Sequence, residues 1–278
     1  MRVRRFAVAA IAAALGAGSL AACGTGSPDV AAYVGDTTYQ LSQVDAVYDE
    51  VQQSHGDRVR QAYAAENDAA KQRAEQTGAE APATIEPSPQ DLLHPATRQD
   101  VVNLLVTVDL GRQLLADRQL AAPTDIDPAV IGNGLGVDPG SEYAALWAES
   151  YGIYRALAQD LPPAADTDEN VIAFYTPLAD LGALPPGLTA AQVREGLGGA
   201  ELAQMVIAVR DAFAGKADEV GVTVNPRFGS VAIPMVLSGG QGDIFFDLPY
   251  TTAGVPVTDA PAPTTEPADE PSDDGDAH

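Results

Sequence analysis

One cysteine, Cys23, stands in 278 residues. A lone thiol closes no intramolecular disulfide, so the fold has no covalent staple, and paired-thiol redox chemistry and cysteine-rich metal sites are excluded. Lysine is nearly as scarce: Lys71 and Lys216 are the only two, and neither lies in the G-x-x-x-x-G-K-[ST] context of a phosphate-cradling loop. The three histidines, His55, His94 and His278, are scattered without metal-ligand spacing, and no Ser-His-Asp arrangement is legible. Aromatic residues make up 6% of the chain with a single tryptophan, so any core is padded with alanine and aliphatic side chains. Basic residues number 15 against 39 acidic ones, a net charge of −24. Nucleic-acid binding, which needs clustered Lys and Arg, is disfavoured. So is electrostatic attraction to anionic lipid headgroups. No long apolar run is present either: residues 6–20 are nearly uncharged, but a comfortable span takes about twenty residues.

That short run has the length and flanks of a secretory signal segment, with Arg2, Arg4 and Arg5 before it. Leu20-Ala21-Ala22-Cys23 then resembles the lipobox of bacterial lipoproteins. The resemblance implies cleavage before Cys23 and diacylglycerol on its sulfur, for which a thiolate is the suitable nucleophile. An ordinary signal peptide cut nearby and an uncleaved anchor are the competing readings. Residues 1–22 are thus expected to be a lipoprotein signal peptide and residues 23–29 a tether. Three arginines would leave with the signal, taking the charge from −24 to −27.

The remainder reads as mainly α with a small N-terminal β-hairpin. VAAYVGDTTYQ suggests two short strands around a Gly35-Asp36 turn. Ser42 is the expected cap of a first helix, whose Val44, Val47, Tyr48 and Val51 fall at helical spacing. The helix-friendly sequence then turns polar, and residues 81–90 form a Pro-rich linker. Residues 97–120 predict the strongest helix, apolar on so many sides that it should be wrapped by the rest of the body. Asp127 with Pro128, Ser141, Asp166 or Thr167, and the Thr189-x-x-Gln192 box mark further helix starts, and a last long helix closes near Gly221. VTVNPRFGSVAIPMVL reads as extended. The expected body covers residues 30–236, and residues 237–278 are expected to be a Gly/Pro-rich, acidic, disordered tail.

AAYVGDTTYQLSQVDAVYDEV resembles the opening of SurA- and PrsA-type extracytoplasmic chaperones, with Gly35-Asp36 where that family usually has Asn-Gly. RQDVVNLLVTVDLGRQLLADRQL resembles the later helix of the same N-terminal domain, and PTDIDPAVI falls where those proteins restart a capped helix. The closing helix followed by Val224-Asn225-Pro226-Arg227-Phe228-Gly229 resembles actinobacterial lipoproteins of this SurA-like group. The likeness covers about half of the mature chain and rests on pattern. It implies a SurA-N-like helical domain that binds unfolded secreted polypeptides without ATP or any other cofactor. No parvulin-type prolyl isomerase domain is legible, so a non-enzymatic protein is expected.

Two motifs are discounted. Leu237-Ser238-Gly239-Gly240-Gln241 matches the ABC ATPase signature, but without a phosphate loop it reads as a glycine turn between extended segments. Gly132, Gly134 and Gly136 follow no strand and read as a loop. The candidate binding residues are Tyr143, Trp147, Tyr151 and Tyr154, an aromatic stripe at helical spacing. Such a stripe suits a buried core face or, through its polar handles, an interface. The expected activity is that of a membrane-anchored chaperone or holdase on the extracytoplasmic face. The competing role is an adaptor lipoprotein that docks one cell-envelope protein.

Overall fold

The computed structural model describes residues 27–239 and 242–251. Strands β1 (Val30–Val34) and β2 (Thr37–Gln40) form the expected hairpin, with Val34 opposite Thr37 and Gly35 in the left-handed region at φ 56°. A third strand, β3 (Val222–Val224), pairs antiparallel with β1 from the other side, so the order is β2-β1-β3. Residues far apart in sequence therefore close one small sheet. Asn225 reinforces the closure by donating from Nδ2 to the Val30 carbonyl at 2.8 Å.

Seven helices among the described residues make the body mainly helical. The first, α1 (Leu41–Thr77), runs 37 residues, about 55 Å at 1.5 Å per residue. Its cap is Gln40, which exchanges side-chain and backbone hydrogen bonds with Gln43; Ser42, the expected cap, lies inside the first turn. The amide side chains at 40 and 43 can reciprocate across the first turn as a capping box does, so the helix begins directly on the strand.

The first turns of α1 bury an apolar face through Val44, Val47 and Val51, and Ala74 is the one buried apolar side chain farther along. Farther along, residues 79–96 fold back and run against the helix. Asn67 clamps Ile85 by two hydrogen bonds, donating to its carbonyl at 2.7 Å and accepting from its N–H at 2.9 Å. Gln52 does the same to the main chain of His94. The expected Pro-rich linker at 81–90 is thus a strap on α1. A proline-rich segment cannot pair its own backbone, and here side-chain amides of the helix supply partners.

At the centre lies α2 (Arg98–Asp117), capped by Thr97, with twelve buried residues from Val101 to Leu115. Around it pack α1, α4 (Glu142–Asp160), α7 (Glu201–Val220), β1 and β4 (Ala232–Gly239). The close crossing of α2 and α4 depends on Gly111, where an added Cβ would stand 2.5 Å from Ile153 Cγ2. Between these, α3 (Pro128–Leu135) starts on its Asp127 cap, while α5 (Asp168–Asp180) and α6 (Ala190–Leu197) start on Thr167 and Thr189 as expected. At the C-terminal end of α2, the Lys216 ammonium reaches Asp117 at 2.6 Å and ties α7 to it.

The largest departure lies after Val236. β5 (Gly242–Pro249) pairs with β4 antiparallel from Ala232↔Pro249 to Gly239↔Gly242. Phe246, Leu248 and Tyr250 are buried in the main core, against Phe174 and Phe213 among others. A disordered tail from residue 237 is therefore incorrect: the body extends to Thr251. Glycine and aspartate on either side of the turn mask a strand whose inward positions are aromatic or aliphatic. The acidic stretch beyond 251, like Cys23 and the signal segment, lies outside the described residues.

Candidate functional site

The β4–β5 hairpin forms one wall of a cleft of about 960 Å³. Facing it are Tyr143 and Trp147 on α4, and Ala173, Thr176, Pro177 and Asp180 on α5. His94, Asp100, Leu135 and Arg210 complete the ring from four other segments. The volume sits near the top of the range for ligand pockets, and the walls are mostly apolar.

Local sequence explains how the aromatic wall is held. Ser141 Oγ accepts from Ala144 N at 3.2 Å and starts α4, so Tyr143 and Trp147, four residues apart, point to one side. Tyr143 is 3% exposed and Trp147 8%, with Trp147 Nε1 buried and without a hydrogen-bond partner among the described residues. Phe245 meets the tryptophan edge-on, ring centres 5.8 Å apart. At the lips, Phe245 remains 41% exposed and Leu181 58%, two of the few large apolar side chains that the described residues leave in water.

His94 fixes another corner. Its Nε2 lies 2.9 Å from the Leu135 carbonyl and its Nδ1 accepts from Ala96 N at 3.0 Å, a pattern that selects the neutral ring with the proton on Nε2. Burial pushes its pKa down, partly offset by the bond to Leu135. The His55 ring stands 5.2 Å away, and Tyr143 packs on the other edge at 6.4 Å. The strap thus buttresses the aromatic wall.

Asp247 lies on the hairpin side. Asn103, 1% exposed on α2, donates from Nδ2 to Asp247 Oδ2 at 3.1 Å and accepts from Ala232 N at 3.2 Å, locking hairpin to helix. Burial, reinforced by the nearby Asp100 charge, pushes the Asp247 carboxyl up to about 6, with the Asn103 bond opposing.

The aromatic stripe therefore divides. Tyr143 and Trp147 line the cleft; Tyr151 and Tyr154, farther along α4, do not. Tyr154 is half-buried against the core, and burial raises its hydroxyl to about 12. The sequence reading missed Phe245, Asp247 and Leu181. For the first two a signal existed: IFFDL, between Gly242-Asp243 and Pro249, has the aromatic and apolar content of a strand.

A second groove of about 720 Å³, between α1 and Asp138-Pro139, is lined mainly by polar side chains including Asp49, Glu50, Asp57 and Arg58. Among the described residues, no group of three or more His, Cys, Asp or Glu is placed to hold a metal ion. No described helix is long and apolar enough to cross a membrane. Comparison of the chain with protein-family models, curated proteins and solved structures returns no match.

Proposed function

We propose that this chain is a lipid-anchored holdase outside the cytoplasm, which shelters apolar segments of unfolded secreted polypeptides in the cleft between α4, α5 and the β4–β5 hairpin. The observation that carries the reading is the cleft itself: a mostly apolar cleft of about 960 Å³ with Trp147 and Tyr143 in its wall and Phe245 and Leu181 at its lips. Apolar area removed from water is worth about 25 cal/mol per Å², so a few client side chains give weak, reversible capture without nucleotide. The acidic surface keeps loaded complexes apart in solution. Lipidation at Cys23 would leave the short tether of residues 24–28 to hold the body within roughly 20 Å of the bilayer, at about 3.5 Å per extended residue.

The test is aggregation of several unrelated unfolded proteins with residues 24–278 present and no nucleotide. Suppression across clients at up to equimolar ratio is the expected result, and Phe245→Glu with Leu181→Glu should weaken it by charging both lips. A protein that suppresses none of them is not a holdase. The adaptor reading, in which one folded envelope protein seats on this body, draws support from the burial of Tyr143 and Trp147. That burial leaves exposed apolar surface at the cleft confined to a small area. A single saturable partner with no effect on unfolded clients would favour it.

A further inference from the structure

The cleft is apolar along its walls but carries three carboxylates against one guanidinium. Asp100 at the first turn of α2, Asp180 at the end of α5 and Asp247 on β5 all line it. The cation in the same lining, Arg210, already has its guanidinium on Asp211 at 2.6 Å. Among the described residues, no Lys or Arg lies within ion-pair distance of Asp100, Asp180 or Asp247.

An acidic chain has many unpaired carboxylates, and most cost nothing because water solvates them. Asp247 differs by position. It is half-buried in the cleft that Trp147, Tyr143 and Phe245 also line, with one oxygen bonded to Asn103 and the other, Oδ1, without a hydrogen-bond donor among the described residues. A desolvated carboxylate with a free acceptor, at the side of an apolar trough, is complementary to a cation borne on an apolar stem. Lysine and arginine are such groups: their methylene stems lie along apolar surface while the head seeks a polar partner.

We propose that the cleft selects apolar polypeptide segments that carry a basic side chain, with the Asp247 carboxylate receiving the ammonium or guanidinium and Asp100 and Asp180 strengthening the field around it. This rests on the holdase reading and adds its specificity. Aromatic walls hold the flanking apolar side chains, and Asp247 sets the register of the segment in the trough. An acidic residue at that register is rejected, since it would meet three carboxylates.

Fluorescence anisotropy with three labelled nine-residue peptides tests this. The peptides share a Leu/Phe/Ser frame and differ at the centre: lysine, norleucine or glutamate. Norleucine keeps the stem and removes the ammonium. Measurement in 0.3 M NaCl screens long-range attraction to the acidic body. The lysine peptide should bind at least tenfold more tightly than the norleucine peptide, and the glutamate peptide most weakly. Asp247→Asn should bring the lysine peptide down to the norleucine level. Asp218→Asn, which removes an exposed acid on α7 outside the cleft, should leave the lysine advantage intact. Equal binding of the lysine and norleucine peptides overturns the selectivity while leaving the apolar cleft standing. Binding of none of the three overturns both. An equal loss in Asp218→Asn and Asp247→Asn assigns the effect to bulk charge and also overturns the proposal.

Discussion

Replacing Asp247 with asparagine should make the protein more stable at neutral pH. The folded state holds this carboxyl at about 6 against an ordinary 3.8, so at pH 7.5 it must keep a charge in a place that disfavours it. At about 1.4 kcal/mol per pH unit between those two values, the penalty is on the order of 3 kcal/mol. Water at the exposed edge of the carboxyl trims this to about 2 kcal/mol. Asparagine has the same shape, carries no charge, and keeps a carbonyl oxygen to accept from Asn103. For a body of this size, about 2 kcal/mol is a rise in melting temperature of about 4–8 °C. The pH dependence follows from the raised value. The folded state binds its proton more tightly than the unfolded one, so this group favours folding below pH 3.8, and the advantage is lost as pH rises through 6. The gap between variant and parent should therefore be full at pH 7.5, about half by pH 5, and absent at pH 3.5. Comparing variant with parent cancels the titrating groups that do not interact with Asp247, His94 included. Thermal scans at the three pH values decide it. A parent as stable as the variant at pH 7.5, or a gap that persists at pH 3.5, would refute the argument that Asp247 is a desolvated charge.

Gly111→Ala should destabilise by about 1–2 kcal/mol: the new methyl meets Ile153 at 2.5 Å, a clash that outweighs the roughly 1 kcal/mol gain in helix propensity, and chemical denaturation will show the fall. Phe174→Ala removes a fully buried ring that packs on Phe246 and should cost about 3–5 kcal/mol by the same assay. A chain ending at Val236 should fail to fold, whereas one ending at Asp259 should melt with the full-length protein, as circular dichroism will show. Cys23→Ala should abolish lipid labelling and membrane retention; retention unchanged in the variant would remove the lipobox from the account.

The helical part of the fold is legible because each helix carries its own start signal. Asp127, Ser141 and Thr189 cap the helices expected of them, Thr167 rather than Asp166 caps α5, and the apolar residues of α2 on most of its sides announce a central helix. Gln40 escapes the same logic because glutamine is a weak capping type whose role depends on Gln43 reaching back. Partners distant in sequence are harder. Nothing local in Val222–Val224 names β1 as its neighbour, and nothing in residues 81–90 reveals that Asn67 holds Ile85. The cleft was half legible for that reason. Tyr143 and Trp147 share a helix face, and periodicity brings them together. Their opposite wall comes from residues about a hundred positions later, and only the tertiary fold closes it.

That separation has a consequence for how the cleft can work. Phe245 and Asp247 reach α4 and α2 only after β4 and β5 have paired and docked, while Phe246, Leu248 and Tyr250 on the same hairpin complete the main core. One short element thus carries two duties: Phe246 and Leu248 are buried in the body, and the same strand, with Phe245 and Asp247, lines the cleft. The alternation of a strand makes this possible, since neighbouring residues point to opposite faces. It also means that the cleft has no existence apart from the folded state. A charge at Asp247 can then be retained at a cost in stability, because Phe246 and Leu248 beside it anchor the hairpin strongly enough to offset that cost. Binding of a basic group at Asp247 should, in turn, raise the stability of the whole body.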